Sequence, residues 1–378
     1  MPSAPARGCR PASRSATSIP AATPPSAGRS PTRPWPWATE CWRPSKPASD
    51  NRVGSVVRPE FNVLPHGPVE RAVELARLAE SLGYERCWVY DEGLAASDVY
   101  VALTAVAAAT ESLEVGPGIT NPYTRHAGAT AGAIASLDEL SGGRAFLGVG
   151  AGGSLTLDPL GIARERPLAA VRETVAACRR LFSGETVTVE GAHVRLSEAS
   201  LLNARVGIEI WLAGRGPRML ELGGTACDGV LVDFLYKPNV GAAVERIRAA
   251  GRAAGNDPRI AYSTMLVTDD DTMAAVKPHM TYRLVDTPPE VQEAIGLSEA
   301  DAAVIRAALA DGLEAAAEHV RDEWALPFVI AGTPGECAEE LHSLAAQHGI
   351  ESFLVPLLDD EPAEKLLHSG AKIMGMIE

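Results

Sequence analysis

The sequence offers little to a metal, a disulfide framework or a membrane. Its six cysteines, Cys9, Cys41, Cys87, Cys178, Cys227 and Cys337, are scattered over 378 residues without a C-x-x-C pair. Zinc sites and disulfide scaffolds need closer spacing, so no metal is expected, and most of the cysteines read as small apolar residues of a reducing cytoplasm. No run of 18 apolar residues exists, so no helical membrane span is expected. H-E-x-x-H, G-x-S-x-G and the phosphate-loop motif are missing, which sets aside zinc proteases, serine esterases and P-loop NTPases. Positive charge is scarce beyond the first residues. Nine of the 34 Lys and Arg lie in residues 1–58 beside two acids, so residues 59–378 carry 21 more acids than bases. Nucleic acid, which needs clustered Lys and Arg, is an unfavourable partner for such a body.

What is present divides in two. Residues 1–52 are rich in Pro, Ser, Ala and Arg and have no apolar periodicity, which predicts a disordered tail. The switch to strand-like sequence is abrupt enough to suggest a natural start near Val53, Val56 or Val57. From 53 to 378, short apolar runs alternate with Ala- and Leu-rich amphipathic stretches, the pattern of a parallel sheet with crossover helices. The spacing predicts strands within 53–64 and at 87–92, 112–119, 144–150, 208–214, 228–234, 259–267 and 350–358. The segment 185–196 alternates around a central turn and predicts a hairpin insertion. Helices are predicted over 68–82 before Gly83, over 167–182 and over 333–349. Residues 271–325 hold helices that a barrel does not require, and predict a lid or an oligomer contact. Eight such units form an α/β (β/α)8 TIM barrel with hairpin and helical insertions.

Barrel enzymes place chemistry after the strands, at their C-terminal ends. Three loops there stand out. GPGITNPYTRH (116–126) brings Gly118, Ile119, Thr120, Asn121 and His126 to the end of the third strand, where glycines permit close backbone approach to a flat ring. Thr124 as a helix cap and Asn121-Pro122 as a turn explain the same loop structurally. LGVGAGG (147–153) satisfies G-x-G-x-x-G, but a dinucleotide fingerprint opens directly into a helix and here helix is expected only near Pro167. Gly150 and Ala151 are better read as a close-approach loop. WLAGRGPRMLELGG (211–224) places Ala213, Gly214, Arg215 and Gly216 before a helix starting at Pro217, whose free N–H groups suit a phosphate; a plain strand-to-helix turn has the same composition. Asp91 and Glu92 end the second strand and are candidate general acids if burial raises one of them, or else cap a helix. His126 is either a ring-nitrogen donor or a helix-start residue. Glu60 is a weaker candidate, and His193 is expected at the surface.

Taken together, GPGITNPYTRH, the block 134–153 and the block 212–232 resemble the luciferase-like monooxygenase superfamily over residues 53–378, nearest to its coenzyme F-420-using methylenetetrahydromethanopterin reductases. The resemblance implies a barrel with an insertion and a non-proline cis peptide at Gly118–Ile119. It implies that Gly118, Ile119, Thr120 and Asn121 meet the cofactor ring, that Gly150 and Ala151 line it, and that Ala213, Gly214, Arg215 and Gly216 hold its phosphate end. Coenzyme F-420 is the implied cofactor and FMN the alternative. The catalytic acid is left among Asp91, Glu92 and His126, because Glu92 stands where several related dehydrogenases carry histidine. The expected function is a cytoplasmic oxidoreductase moving a hydride to or from a small molecule, on CH-NH or CH-OH donors, in a protein that forms homodimers. The alternatives are an FMN-dependent monooxygenase, a flavin-binding protein without turnover, and a phosphate-binding isomerase or lyase.

Overall fold

Eight short strands, each buried along much of its length, leave their backbone groups no partner but one another, and they satisfy this by closing into a ring. The computed structural model describes residues 57–358 and 362–377; the expected tail at 1–52, with Cys9 and Cys41, lies outside them. In chain order the strands are β1 (Arg58–Val63), β2 (Arg86–Val89), β3 (Glu114–Pro117), β4 (Phe146–Val149), β5 (Val187–Glu190), β6 (Arg195–Ala199), β7 (Glu209–Ala213), β8 (Gly229–Asp233), β9 (Arg259–Ser263), β10 (Leu266–Val267), β11 (Ile330–Ala331) and β12 (Ser352–Leu357). The sheet runs β3-β2-β1-β12-β9-β8-β7-β4, with every pairing parallel. Its two edges meet: Val115 N–H donates to the Arg144 carbonyl at 2.9 Å, Thr120 N–H to the Gly148 carbonyl at 3.0 Å, and Gly150 N–H to the Thr120 carbonyl at 2.9 Å. The closure is that of a (β/α)8 barrel.

The helices form where periodicity and caps call for them. In Val69–Ser81, Ala72, Leu75, Ala76 and Ala79 fall on one buried face, and Gly83 stops the chain with φ +87°. Pro167–Phe182 and Pro334–His348 match their expected spans, the second opened by a Thr333–Glu336 capping box. The 185–196 segment is an antiparallel hairpin, β5 with β6. Two differences are informative. The run 259–267 is not one strand: after Ser263 the chain leaves the barrel, and β10 pairs with β11, pinning together both ends of the helical insertion. A helix at Ala363–Met374, not among the anticipated elements, buries Leu366, Leu367 and Ile373, and Tyr84 Oη donates to the Leu367 carbonyl at 2.9 Å.

Alternation along the strands divides the core. Cys87, Val89, Leu147, Val149, Ile210, Leu212, Val230 and Val232 face the helices. Trp88, Phe146, Trp211, Leu231, Ala261 and Leu354 face inward and fill the barrel's middle. Trp88 meets the rings of Phe146 and Trp211 edge-on at 4.5 and 5.7 Å, and its indole N–H donates to Glu60 Oε2 at 2.7 Å. Glu60 thus serves the barrel core. Below this layer Arg86, fully buried, hydrogen-bonds Glu114 and Glu209 and stacks over Trp211 and Phe146 at 4.6 and 4.7 Å. Arg259 also pairs with Glu209. Although burial pushes the Glu209 carboxyl up, Arg86 and Arg259 hold it down at about 2. The N-terminal end of the barrel is therefore closed by an ionic plug.

The insertion has its own core. Met273, Val276, Met280, Leu284, Trp324 and Phe328 pack with Phe234, Met265 and Leu358, which follow β8, β9 and β12. It is thereby docked on the C-terminal rim. Among the described residues no helix is long and apolar enough to cross a membrane. Cys87, Cys178, Cys227 and Cys337 are buried, free thiols.

Candidate active site

Two residues further along several of the inward registers, the positions that line the barrel mouth are small or polar. Asn62, Asp233 and Ser263 follow Glu60, Leu231 and Ala261, while Gly118, Gly150 and Ala213 leave the opposite wall low. Asn62 Nδ2 donates to the Gly118 carbonyl at 2.7 Å, and the Gly118–Ile119 peptide is cis. Asn62 Oδ1 and Ser263 Oγ are buried without a hydrogen-bond partner among the described residues.

The three loops singled out in the sequence meet at this rim. Thr120 and Gly150 share the closing hydrogen bond. A Cβ on Gly150 would lie 2.0 Å from Ile119 Cδ1 and 3.1 Å from the Ala213 carbonyl, so three segments touch where only glycine fits. Gly118 is equally confined: a Cβ there would lie 2.5 Å from Trp88 Cβ. Ala151 is half-buried beside them. Asn121 is buried, and its Oδ1 accepts from the N–H groups of Tyr123 and Thr124, so this side chain shapes the turn. Gly214 is half-buried, and Arg215 and Gly216 are exposed at the start of Pro217–Ala226. Gly216 caps that helix without a side chain, and a Cβ there would meet nothing within 4 Å. The helix start is therefore open to a ligand anion.

The carboxylates stand at the same rim. Thr120 Oγ1 donates to Asp91 Oδ2 at 2.6 Å, and Thr156 Oγ1 donates to Glu92 Oε2 at 2.8 Å. Burial pushes Asp91 up from the usual carboxylate range, against the Thr120 hydrogen bond and with help from Asp98. Burial likewise raises Glu92, with the charge of Asp91 adding to it against the Thr156 bond. Burial raises both of these adjacent carboxyls, and the charge of Asp91 adds to the rise at Glu92, so each holds a proton more readily than an exposed carboxylate.

His126 is arranged otherwise. It, and not Thr124, caps the helix Ala127–Ser141: Nδ1 accepts from Gly128 N–H at 3.1 Å, and Nε2 lies 3.2 Å from the Arg195 carbonyl in the hairpin. With Nδ1 accepting, Nε2 carries the hydrogen, so both ring nitrogens are engaged by backbone. His193, expected at the surface, is half-buried against Tyr123, ring centroids 6.5 Å apart. The G-x-G-x-x-G segment does enter a helix, Ser154–Leu157, but one of four residues, and Gly150 is used against Ile119. Sequence reasoning passed over Asn62, Asp233, Ser263 and Arg283, although the first three announce themselves as polar residues in an inward register.

The model of the luciferase-like monooxygenase family matches residues 51–352. The chain belongs to this family. Among its relatives, the 5,10-methylenetetrahydromethanopterin reductase of Methanolobus tindarius is 36% identical over 289 residues, covering 74% of this chain and 88% of the relative. The enzyme of the same name from Archaeoglobus fulgidus is 34% identical over 280 residues, covering 71% and 84%. A solved structure, the coenzyme F420-dependent tetrahydromethanopterin reductase of Methanopyrus kandleri, superposes with a TM-score of 0.77 at 27% identity, covering 86% of this chain and all of that one. This luciferase-like chain therefore has relatives that are oxidoreductases, and its eight-stranded parallel barrel is the architecture its sequence implied.

Proposed function

We propose that this protein is an oxidoreductase that moves a hydride between coenzyme F-420 and a small organic substrate, in the manner of the methylenetetrahydromethanopterin reductases it resembles. One observation carries the reading: Ile119, Gly150 and Ala213 converge so closely that no side chain can rise between them, which leaves a flat wall for a planar ring. The open helix start at Gly216, with Arg215 beside it, lies at the same rim and suits a phosphate. When bound, the deazaflavin supplies or accepts the hydride. The chain's own residues do the rest. Gly118, Ile119, Thr120, Asn121, Gly150 and Ala151 position the ring, and Ala213, Gly214, Arg215 and Gly216 hold its phosphate end. Glu92, with Asp91 as its charged neighbour, holds the proton that a reduced or oxidised nitrogen or oxygen of the substrate gains or gives up. His126 is assigned the start of its helix. Residues 53–378 act as one catalytic body with the insertion 271–325 on its rim, in a cytoplasmic homodimer.

Native mass spectrometry and absorbance after separate addition of F-420 and FMN test the reading. Stoichiometric F-420 binding, with oxidation of the reduced cofactor by methylenetetrahydromethanopterin, is the expected result. Preferential FMN binding with oxygen consumption refutes it in favour of the monooxygenase reading.

A further inference from the structure

Glu92 gives up or takes on one proton in each turnover of the proposed reaction, so it must exchange one with bulk water before the next. Its side chain is half-buried between two loops. On one side, the short helix Gly93–Ala95 that follows it is packed against the segment 156–160: a Cβ on Gly93 would lie 3.2 Å from the Thr156 carbonyl and 3.6 Å from Leu160 Cδ1. From this side Thr156 Oγ1 donates to Glu92 Oε2 at 2.8 Å. On the other side, the loop after β1 is laced to the same turn. Ser97 N–H donates to the Pro65 carbonyl at 2.9 Å, and Ser97 Oγ donates to the Gly67 carbonyl at 3.4 Å. Between these two contacts His66 Nδ1 lies 3.1 Å from the Ala95 carbonyl.

A carbonyl only accepts, so Nδ1 carries the hydrogen and the neutral ring has its lone pair on Nε2. Nε2 makes no hydrogen bond with a described residue, and His66 is exposed. The charges that bear on Glu92 are those of Asp91 and His66. Tyr90 stands before the pair, and Asp98 and Arg125 bear on Asp91. Of these groups, His66 combines exposure with a side chain of the type that takes and releases protons near neutral pH. We infer that His66 is the proton carrier of Glu92: its Nε2 takes a proton from bulk water and passes it to the Glu92 carboxylate when the substrate is reduced, and returns one to water when it is oxidised. In the first direction an N–H bond forms at Nε2 as hydronium or a buffer acid loses its proton. That bond breaks as the Glu92 O–H bond forms, and the ring returns to the neutral tautomer with Nδ1 still on Ala95. No electrons change hands. Burial raises the Glu92 carboxyl, which brings its proton affinity closer to that of an imidazole and eases the transfer. His66 acts through Glu92 and not on the substrate. The inference rests on the hydride-transfer reading, since it supplies the proton which that reading places on Glu92.

His66→Gln is the test variant, because its amide can keep the Ala95 contact while it has no titratable nitrogen. Steady-state oxidation of reduced F-420 by methylenetetrahydromethanopterin in dilute buffer should show kcat lowered by about 10- to 100-fold, at unchanged KM and F-420 affinity. Added imidazole should restore kcat in proportion to the concentration of its protonated form, and should do nothing for Glu92→Gln. In the cofactor-free protein, heteronuclear NMR of nitrogen-labelled chain should find the neutral His66 ring protonated at Nδ1, its signals being assigned by their loss in His66→Gln. Wild-type kcat in the variant, or a loss that imidazole does not restore, overturns the relay and leaves the hydride-transfer reading intact. A neutral ring protonated at Nε2 does the same. A wild type that fails to bind F-420, or binds it without turnover, overturns both.

Discussion

Replacing Thr120 by Val removes one hydrogen bond and almost no volume, and its cost should depend on pH in a fixed direction. Thr120 Oγ1 donates to Asp91 Oδ2 at 2.6 Å, and burial has already moved Asp91 up from the usual aspartate range. A group whose folded pKa is raised contributes stability that is fully present below its unfolded pKa and is lost as the pH climbs through the folded one. The window of that loss therefore lies above the ordinary aspartate range, and the Thr120 bond limits the loss by favouring the ionised form. A hydrogen bond to a charged group contributes about 1.5–3 kcal/mol, and one between neutral groups about 0.5–1.5 kcal/mol. Thr120→Val should then destabilise the fold by about 0.5–1.5 kcal/mol where Asp91 is protonated, and by roughly 1 kcal/mol more once it is ionised. Urea unfolding of wild type and variant, followed by circular dichroism at several pH values, measures the gap directly. A gap that stays constant or narrows as pH rises would show that Thr120 does not serve the Asp91 carboxylate.

Three further outcomes are expected. Glu92→Gln keeps the Thr156 contact but not the proton, and should lower kcat by about 10²- to 10⁴-fold at unchanged F-420 affinity; steady-state kinetics with a cofactor titration decides, and unaltered turnover removes Glu92 from the chemistry. Gly150→Ala drives a methyl into Ile119 Cδ1, which must swing toward the ring wall; F-420 affinity should fall by at least tenfold with about 1–3 kcal/mol lost in stability, and tight binding would show that the wall is not where the ring lies. Arg86→Met leaves the buried Glu60 without a cation and removes one of the two that hold Glu114, which keeps Arg58, and Glu209, which keeps Arg259, at a cost of about 3–5 kcal/mol near neutral pH. Because Glu209 is held low, at about 2, its share of the loss should disappear as pH falls from the ordinary glutamate range toward that value, which thermal unfolding across acid pH can follow.

The barrel was legible because a parallel strand with both faces buried reads as a short apolar run, and a crossover helix reads as a 3.6-residue stripe. The rim was partly legible for a related reason: loops such as 116–121 and 213–216 gather glycine and polar side chains directly after strands. What the pattern did not reveal was set by contacts between distant segments. Nothing local stops 259–267 from continuing as one strand; it ends at Ser263 because Leu266 and Val267 find partners in Ile330 and Ala331. His126 has the composition of an acid–base residue, and only the position of Arg195 and the first turn of its helix commits both its nitrogens to backbone. Arg283 belongs to a helix whose low amphipathicity gives no hint of which face meets the barrel, since that face is chosen by Phe234, Met265 and Leu358.

The two ends of the barrel handle buried polarity in opposite ways, and this contrast argues for where ligand energy is spent. At the N-terminal end, the unpartnered atoms Arg86 Nη1 and Glu60 Oε1 face each other at 3.8 Å, so each charge is answered within the protein. At the C-terminal end, Asn62 Oδ1, Ser263 Oγ and Arg283 Nε are unpartnered and come from three separate elements. An unmet buried polar group costs about 1–3 kcal/mol, so this rim carries a deficit of several kcal/mol that a better-packed apolar rim would not have. A fold that needed only stability could have placed apolar side chains at 62 and 263, as the layer below does at Leu231, Ala261 and Leu354. The deficit is useful only to a ligand with matching donors and acceptors, and it can be recovered only when that ligand is correctly oriented, which is how recognition at the rim sets the alignment of the reacting atoms.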